Sequence, residues 1–173
     1  MRCYRKSIVV VFSLLSLLFF FMGFYSSEEP ANHSINKLIF IDAITIFLLN
    51  SANVLVWFII SLMGVSPILI LKSIFGMGAG WHALSISPFM YYGSSFVHGF
   101  LEWLVCLLVF IFTVEHLAHL ISYIRKKITY EQLKQFYWKT VKKTIPAVLL
   151  ILLAAAFIEV YVSNRLLIYF QSL

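Results

Sequence analysis

Five stretches of this chain run nearly free of charge for long enough to cross a bilayer as helices, which takes about 20 mostly apolar residues each. They fall at about 7–25, 44–63, 67–84, 95–123 and 144–163. Such runs constrain the fold more than any other feature, because a backbone in lipid must satisfy its own hydrogen bonds and does so most simply as helix. Of the 173 residues, 62% are hydrophobic and 12% charged, against about 25% charged in a soluble domain. That is too little polar surface for a water-soluble globule. The expected fold is all-α, a single integral membrane helical bundle of about five transmembrane helices.

The first run follows Arg2, Arg5 and Lys6 and resembles a secretion signal. It is longer than the roughly 7–15 apolar residues of a signal core, and Tyr25-Ser26-Ser27-Glu28 has no small-x-small cleavage site, so it reads as an uncleaved anchor. The polar stretch 26–37 reads as a loop, and 38–43, with Asp42, as an interfacial lead-in. Gly64-Val65-Ser66-Pro67 reads as a tight turn, with proline tolerated in the first turn of the next helix. The third run is the weakest, since it holds Lys72 and Gly76-Met77-Gly78-Ala79-Gly80, and a re-entrant loop is the alternative.

Charge decides between them. Ten of the thirteen Lys and Arg residues lie in two places, Arg2, Arg5 and Lys6 before the first run, and Arg125, Lys126, Lys127, Lys134, Lys139, Lys142 and Lys143 between the fourth and fifth. The positive-inside rule puts both groups in the cytoplasm. That requires an even number of crossings between them, so the third run crosses, with the N-terminus in and the C-terminus out. The segment 128–143 reads as a cytoplasmic basic amphipathic helix, with Leu133, Phe136, Tyr137 and Val141 on one side and lysines on the other. It lies on anionic lipid or docks a cytoplasmic partner. The net charge of +6 follows topology, and no nucleic-acid-binding module is present.

Ionisable groups within spans are costly and turn toward the bundle interior or a wet cavity. Sorted by depth, they form two layers. The outer holds Asn50, Asn53, His82, His98, Glu102 and Glu159; the inner holds Lys72, Glu115, His116 and His119, with Lys72 expected to contact Glu115 or His116. Gly76 and Gly80 form a GxxxG pattern that lets two helix backbones approach, and a backbone-lined groove is the competing reading. Ala154-Ala155-Ala156 likewise points to close packing.

An intramembrane metalloprotease is the sharpest enzymatic alternative, but HExxH is absent and His98-x-x-x-Glu102 offers only two ligands, with Glu159 and His82 as further candidates. Neither Cys3 nor Cys106 belongs to a CxxC site, and Cys106 has no evident base. There is no phosphate-binding glycine loop. The expectation is a non-enzymatic protein with no catalytic residues, no metal and no cofactor.

Several segments together resemble the stage II sporulation protein M family of bacterial multispanning membrane proteins, over about residues 48–163. They are the Asn50-led span ending at Gly64, the glycine-bearing helix Leu69 to Gly80, Phe96-Val97-His98-Gly99-Phe100-Leu101-Glu102, and Leu153-Ala154-Ala155-Ala156-Phe157-Ile158-Glu159. Ser51 and Phe75 depart from the family, which often has asparagine there. The resemblance implies a multi-pass protein of the bacterial cell membrane. It also implies one of two settings: a sporulation engulfment scaffold for peptidoglycan hydrolases, or an accessory subunit in the maturation, export or immunity of a circular-bacteriocin-like peptide. The short external loop favours the second. Expected partners are the lipid bilayer, other membrane proteins such as transporter subunits, and a peptide substrate, with no nucleic acid. A channel or permease subunit, with the outer layer as a polar path, is the remaining alternative.

Overall fold

The computed structural model describes residues 2–26, 35–83 and 87–172. The described residues form seven α-helices: α1 (Arg2–Phe24), α2 (Phe40–Ser61), α3 (Ser66–Ala79), α4 (Pro88–Ile124), α5 (Tyr130–Lys139), α6 (Ile145–Ile158) and α7 (Asn164–Gln171). A 3-10 turn, Gly80–Ala83, extends α3, and π turns at Thr140–Thr144 and Glu159–Ser163 join α5 to α6 and α6 to α7. The protein is an all-α bundle. Most of the polar stretch 26–37, and the end of the third run at Leu84, lie outside the described residues.

Four helical runs are long and apolar enough to cross a membrane: Arg5–Phe24, Phe40–Ser61, Pro88–Ile124 and Tyr130–Gln171. Their outward side chains include Leu14, Leu17, Leu18, Phe21, Leu48, Leu49 and Ile59, where a soluble bundle would present polar groups. The third run is shorter than expected. Its 14 α-helical residues and four-residue 3-10 turn give about 29 Å at 1.5 and 2.0 Å per residue.

It nevertheless runs the length of the bundle. At its start Ser66 bonds Ser61, at the end of α2, and Thr113, in the C-terminal third of α4. At its far end Trp81 and His82 meet the last carbonyl of α1, Phe24. α1 and α3 are therefore parallel, with α2 and α4 antiparallel to both. The start of α1, the α2–α3 turn, the α4–α5 connection, α5 and the π turn after it share one end of the bundle, and ten of the bases lie in these segments.

Local sequence explains most helix ends. Asp42 accepts the Ile39 N–H at 2.7 Å and opens α2, while Ser87 accepts the Met90 N–H at 3.3 Å, with Pro88 at the first position of α4. Thr129 and Gln132 form a reciprocal capping box for α5. Gly64 takes φ +74° in the α2–α3 turn, a conformation that favours glycine. The core is apolar and continuous, with Phe12, Ile70, Ile74, Val105, Val109, Val148 and Leu152 buried where α1, α3, α4 and α6 converge.

Two sequence expectations are corrected here. The segment 128–143 is not a separate helix lying on lipid by its apolar side. Leu133 is buried, and Phe136 lies face to face with Phe112 and His119 of α4, at 5.8 and 4.3 Å between ring centres. α5 spends that side on α4 and continues through a π turn into α6, leaving Trp138 and Val141 outward.

The close-packing glycines are also different ones. A Cβ on Gly76 would meet nothing within 4 Å, and one on Gly80 would run into the Tyr91 hydroxyl rather than a helix backbone. The backbones of α1 and α3 touch at Gly23 against Phe75 and Ala79, and at Gly78 against Phe20.

Candidate functional site

A cavity of about 70 Å³, room for a few water molecules, lies between α2, α3, α4 and α6. Asn50, Asn53 and Trp57 line it from α2, Ser73 and Met77 from α3, Glu102 and Cys106 from α4, and Leu152 from α6. Helical spacing brings these groups together: Asn50, Asn53 and Trp57 are three and four residues apart on one face, as are Glu102 and Cys106. Asn53 is exposed and Ser73 half-buried, so the polar edge of the cavity reaches the bundle surface.

Asn50 Nδ2 donates to Glu102 Oε1 at 3.0 Å across the cavity wall. The two carboxylates Glu102 and Glu159 lie close enough to act on each other electrostatically, and Tyr91 lies within range of both. His98, one turn before Glu102, bonds through Nδ1 to Ser163 Oγ at 2.8 Å. Glu159 and Ser163 begin and end the π turn between α6 and α7, so one departure from α-helical winding supplies both groups. Chemically the arrangement holds and orients protons and polar groups inside an apolar bundle. Among the described residues no three His, Cys, Asp or Glu side chains come together as a metal site would require.

The outer polar layer is thus reduced by one. Asn50, Asn53 and Glu102 share the cavity, with His98 and Glu159 beside it. His82 does not join them: its Nε2 bonds the Phe24 carbonyl at 3.2 Å, and its ring lies on Trp81 at 3.9 Å. Its work is to close the C-terminal end of α1.

The inner layer separates into unconnected contacts. Glu115 takes Arg5, not Lys72. His116 bridges the end of α2 to α5: a carbonyl only accepts, so Nε2 donates to Leu62 O at 3.3 Å, and Nδ1 of the neutral ring accepts from the Tyr137 hydroxyl at 2.8 Å. His119 donates through Nδ1 to the Glu115 carbonyl in its own helix at 2.7 Å. Lys72 is exposed and makes no hydrogen bond or ion pair among the described residues.

Two polar contacts escaped the sequence reading. Ser61, Ser66 and Thr113, all fully buried, lie mutually 2.7–2.8 Å apart. Ser61 also reaches the Trp57 carbonyl and Thr113 the Val109 carbonyl. Three protons serve five close contacts, so the ring holds the α2–α3 turn on α4. Asn164 is the second: its Oδ1 accepts the Leu38 N–H and its Nδ2 donates to the Asn36 carbonyl, both at 3.0 Å, fastening the lead-in of α2 to α7. The serines flanking Gly64 were a usable signal for the first, whereas nothing local marks Asn164.

The fold and site define a helical bundle of membrane-spanning character with a small, half-open and partly polar cavity between α2, α3, α4 and α6. Comparison with protein-family models, curated proteins and solved structures finds no match to this chain.

Proposed function

We propose that this chain is a non-enzymatic, multi-pass subunit of the bacterial cell membrane that assists the maturation, export or producer immunity of a bacteriocin-like peptide. The observation that carries the reading is the Asn50–Glu102 hydrogen bond on the wall of the half-open cavity. It joins two of the residues through which the chain resembles the sporulation protein M family, and His98 and Glu159 of the same resemblance stand beside it. An orientation with the N-terminus inside draws support from the clustering of the basic segments at one end of the bundle.

The test is expression in a bacteriocin-sensitive host, with and without the genes beside this one, scoring survival and peptide release. A rise in either supports the proposal, and no change in both removes it.

A second reading, a channel or permease subunit, is favoured by the way Asn53 and Ser73 carry the cavity's polar edge to the surface. Glu102→Gln separates the two. Glutamine still accepts from Asn50 but carries no charge. A folded variant that keeps its activity assigns Glu102 a structural role, and a folded variant without activity assigns it to a path.

A further inference from the structure

Lys72 is the one cation that α3 carries, and no partner for it is in place among the described residues. Ser66, where α3 begins, is level with Thr113, two residues before the carboxylate that Arg5 engages. Six residues on, Lys72 stands about 9 Å deeper at 1.5 Å per residue, beyond the ring of bases at that end. α3 turns Ile70, Ile74 and Gly78 inward and sets Phe75 and Ala79 against Gly23 of α1. Lys72 and Gly76 occupy the remaining outward face.

That face has two further properties. Gly76, one turn from Lys72, has nothing within 4 Å of where a side chain would go, so the α3 backbone is bare there. Ser73, next to Lys72, lines the cavity, and Asn53 stands exposed across the mouth on α2. A cation, an amide, a hydroxyl and a bare helix backbone thus adjoin on a surface whose other outward groups are apolar. Lipid tails satisfy none of these polar groups, and an unpaired charge among them is unfavourable.

We infer that the outward face of α3 at Lys72 and Gly76 is the docking surface for a membrane-spanning helix of a partner protein carrying an Asp or Glu. The bare backbone admits a close helix, and Lys72 selects its charge. Among the described residues the only exposed carboxylate is Glu131, on α5 at the basic end, so none of them offers the acid from the outward face of a second copy at this depth. The inference rests on the reading of the chain as an accessory membrane subunit and needs nothing of the peptide setting.

The test replaces Gly76 with the photo-crosslinking residue benzoylphenylalanine in the natural host, irradiates the membranes and sequences the crosslinked peptide. Gly76 has open space around it, so the fold tolerates the substitution, and elution of the detergent-solubilised protein as a single species verifies this. The expected product is a membrane-spanning segment of another protein with an Asp or Glu within one helical turn of the crosslink. Lys72→Glu lowers its yield about three- to tenfold, the size of interhelical polar contacts in membranes, and changing the partner's acid to Lys restores it. Crosslinks only to lipid or to a second copy of this chain overturn the inference, as does a partner segment without an acid or a yield indifferent to Lys72→Glu. Survival and peptide release, scored in the same strains, test the functional proposal separately, because a retained crosslink with no phenotype sinks that proposal alone.

Discussion

Arg5 and Glu115, 110 residues apart in the chain, form a two-pronged ion pair, with Nε to Oε1 at 2.5 Å and Nη2 to Oε2 at 3.1 Å. The pair fixes the start of α1 to the C-terminal third of α4, so the two basic segments of the sequence are held at one end of the bundle. Its two members differ in burial: the Arg5 side chain is 55% exposed and that of Glu115 14%. Removing the arginine leaves a mostly buried carboxylate without its partner, whereas removing the carboxylate leaves an arginine that water or a lipid phosphate can solvate. Arg5→Gln is therefore expected to cost more than Glu115→Gln, about 1–2 against about 0.5 kcal/mol. Thermal unfolding of the two detergent-solubilised variants measures the order, and equal or reversed losses would contradict the pairing.

The α1–α3 contact makes a sharper contrast between neighbouring glycines. A methyl on Gly78 meets the Phe20 carbonyl, and one on Gly76 meets nothing. Gly78→Ala must push the helices apart, at about 1–3 kcal/mol, as overpacking does. Gly76→Ala is expected to be neutral or to stabilise by up to about 1 kcal/mol through helix propensity. Comparing the melting temperatures of the two variants checks this, and a destabilising Gly76→Ala would count against it.

Those glycines also mark how far the sequence could be read. The helical class, the long apolar runs and the similar depth of Asn50 and Glu102 were legible, because hydropathy and helical spacing are properties of single segments and depth along a helix is simple arithmetic; that these two bond each other was not. Partner choice was not. The GxxxG at Gly76 and Gly80 is a pattern within one helix, but close approach needs a facing helix, and Gly23 in another run set the register through Gly78. Depth counted along separate runs gave Lys72 and Glu115 similar levels, but α3 begins level with Thr113 and carries Lys72 about 9 Å away from that level, and Arg5 of α1 takes Glu115 instead. The amphipathic pattern of α5 was real, yet periodicity does not say whether an apolar face meets lipid or α4.

At the end of α4, Lys126 takes φ +56°, in the left-handed region where side chains are crowded. Its N–H bonds Tyr123 O and that of Lys127 bonds Ser122 O, the pattern that commonly closes a helix with glycine. Lys126→Gly is expected to stabilise the protein by about 0.5–1 kcal/mol. A lower melting temperature for this variant would mean that the lysine side chain contributes more than the strain removes.

The cavity itself can be probed through Cys106, which lines it at 1% exposure. In a Cys3→Ser background a water-borne methanethiosulfonate reagent is expected to leave Cys106 unmodified, because a cavity of about 70 Å³ holds a few waters but no reagent. Leu152, also on the wall, is 2% exposed. Leu152→Ala removes apolar volume beside Asn50 and Glu102, at a cost of about 2–5 kcal/mol, and enlarges a space that already has polar walls. In that variant Cys106 is expected to react, followed by mass spectrometry of the intact protein. Continued protection of Cys106 in folded Leu152→Ala would mean that the polar edge at Asn53 and Ser73 is no route for water, and the path reading would lose its support.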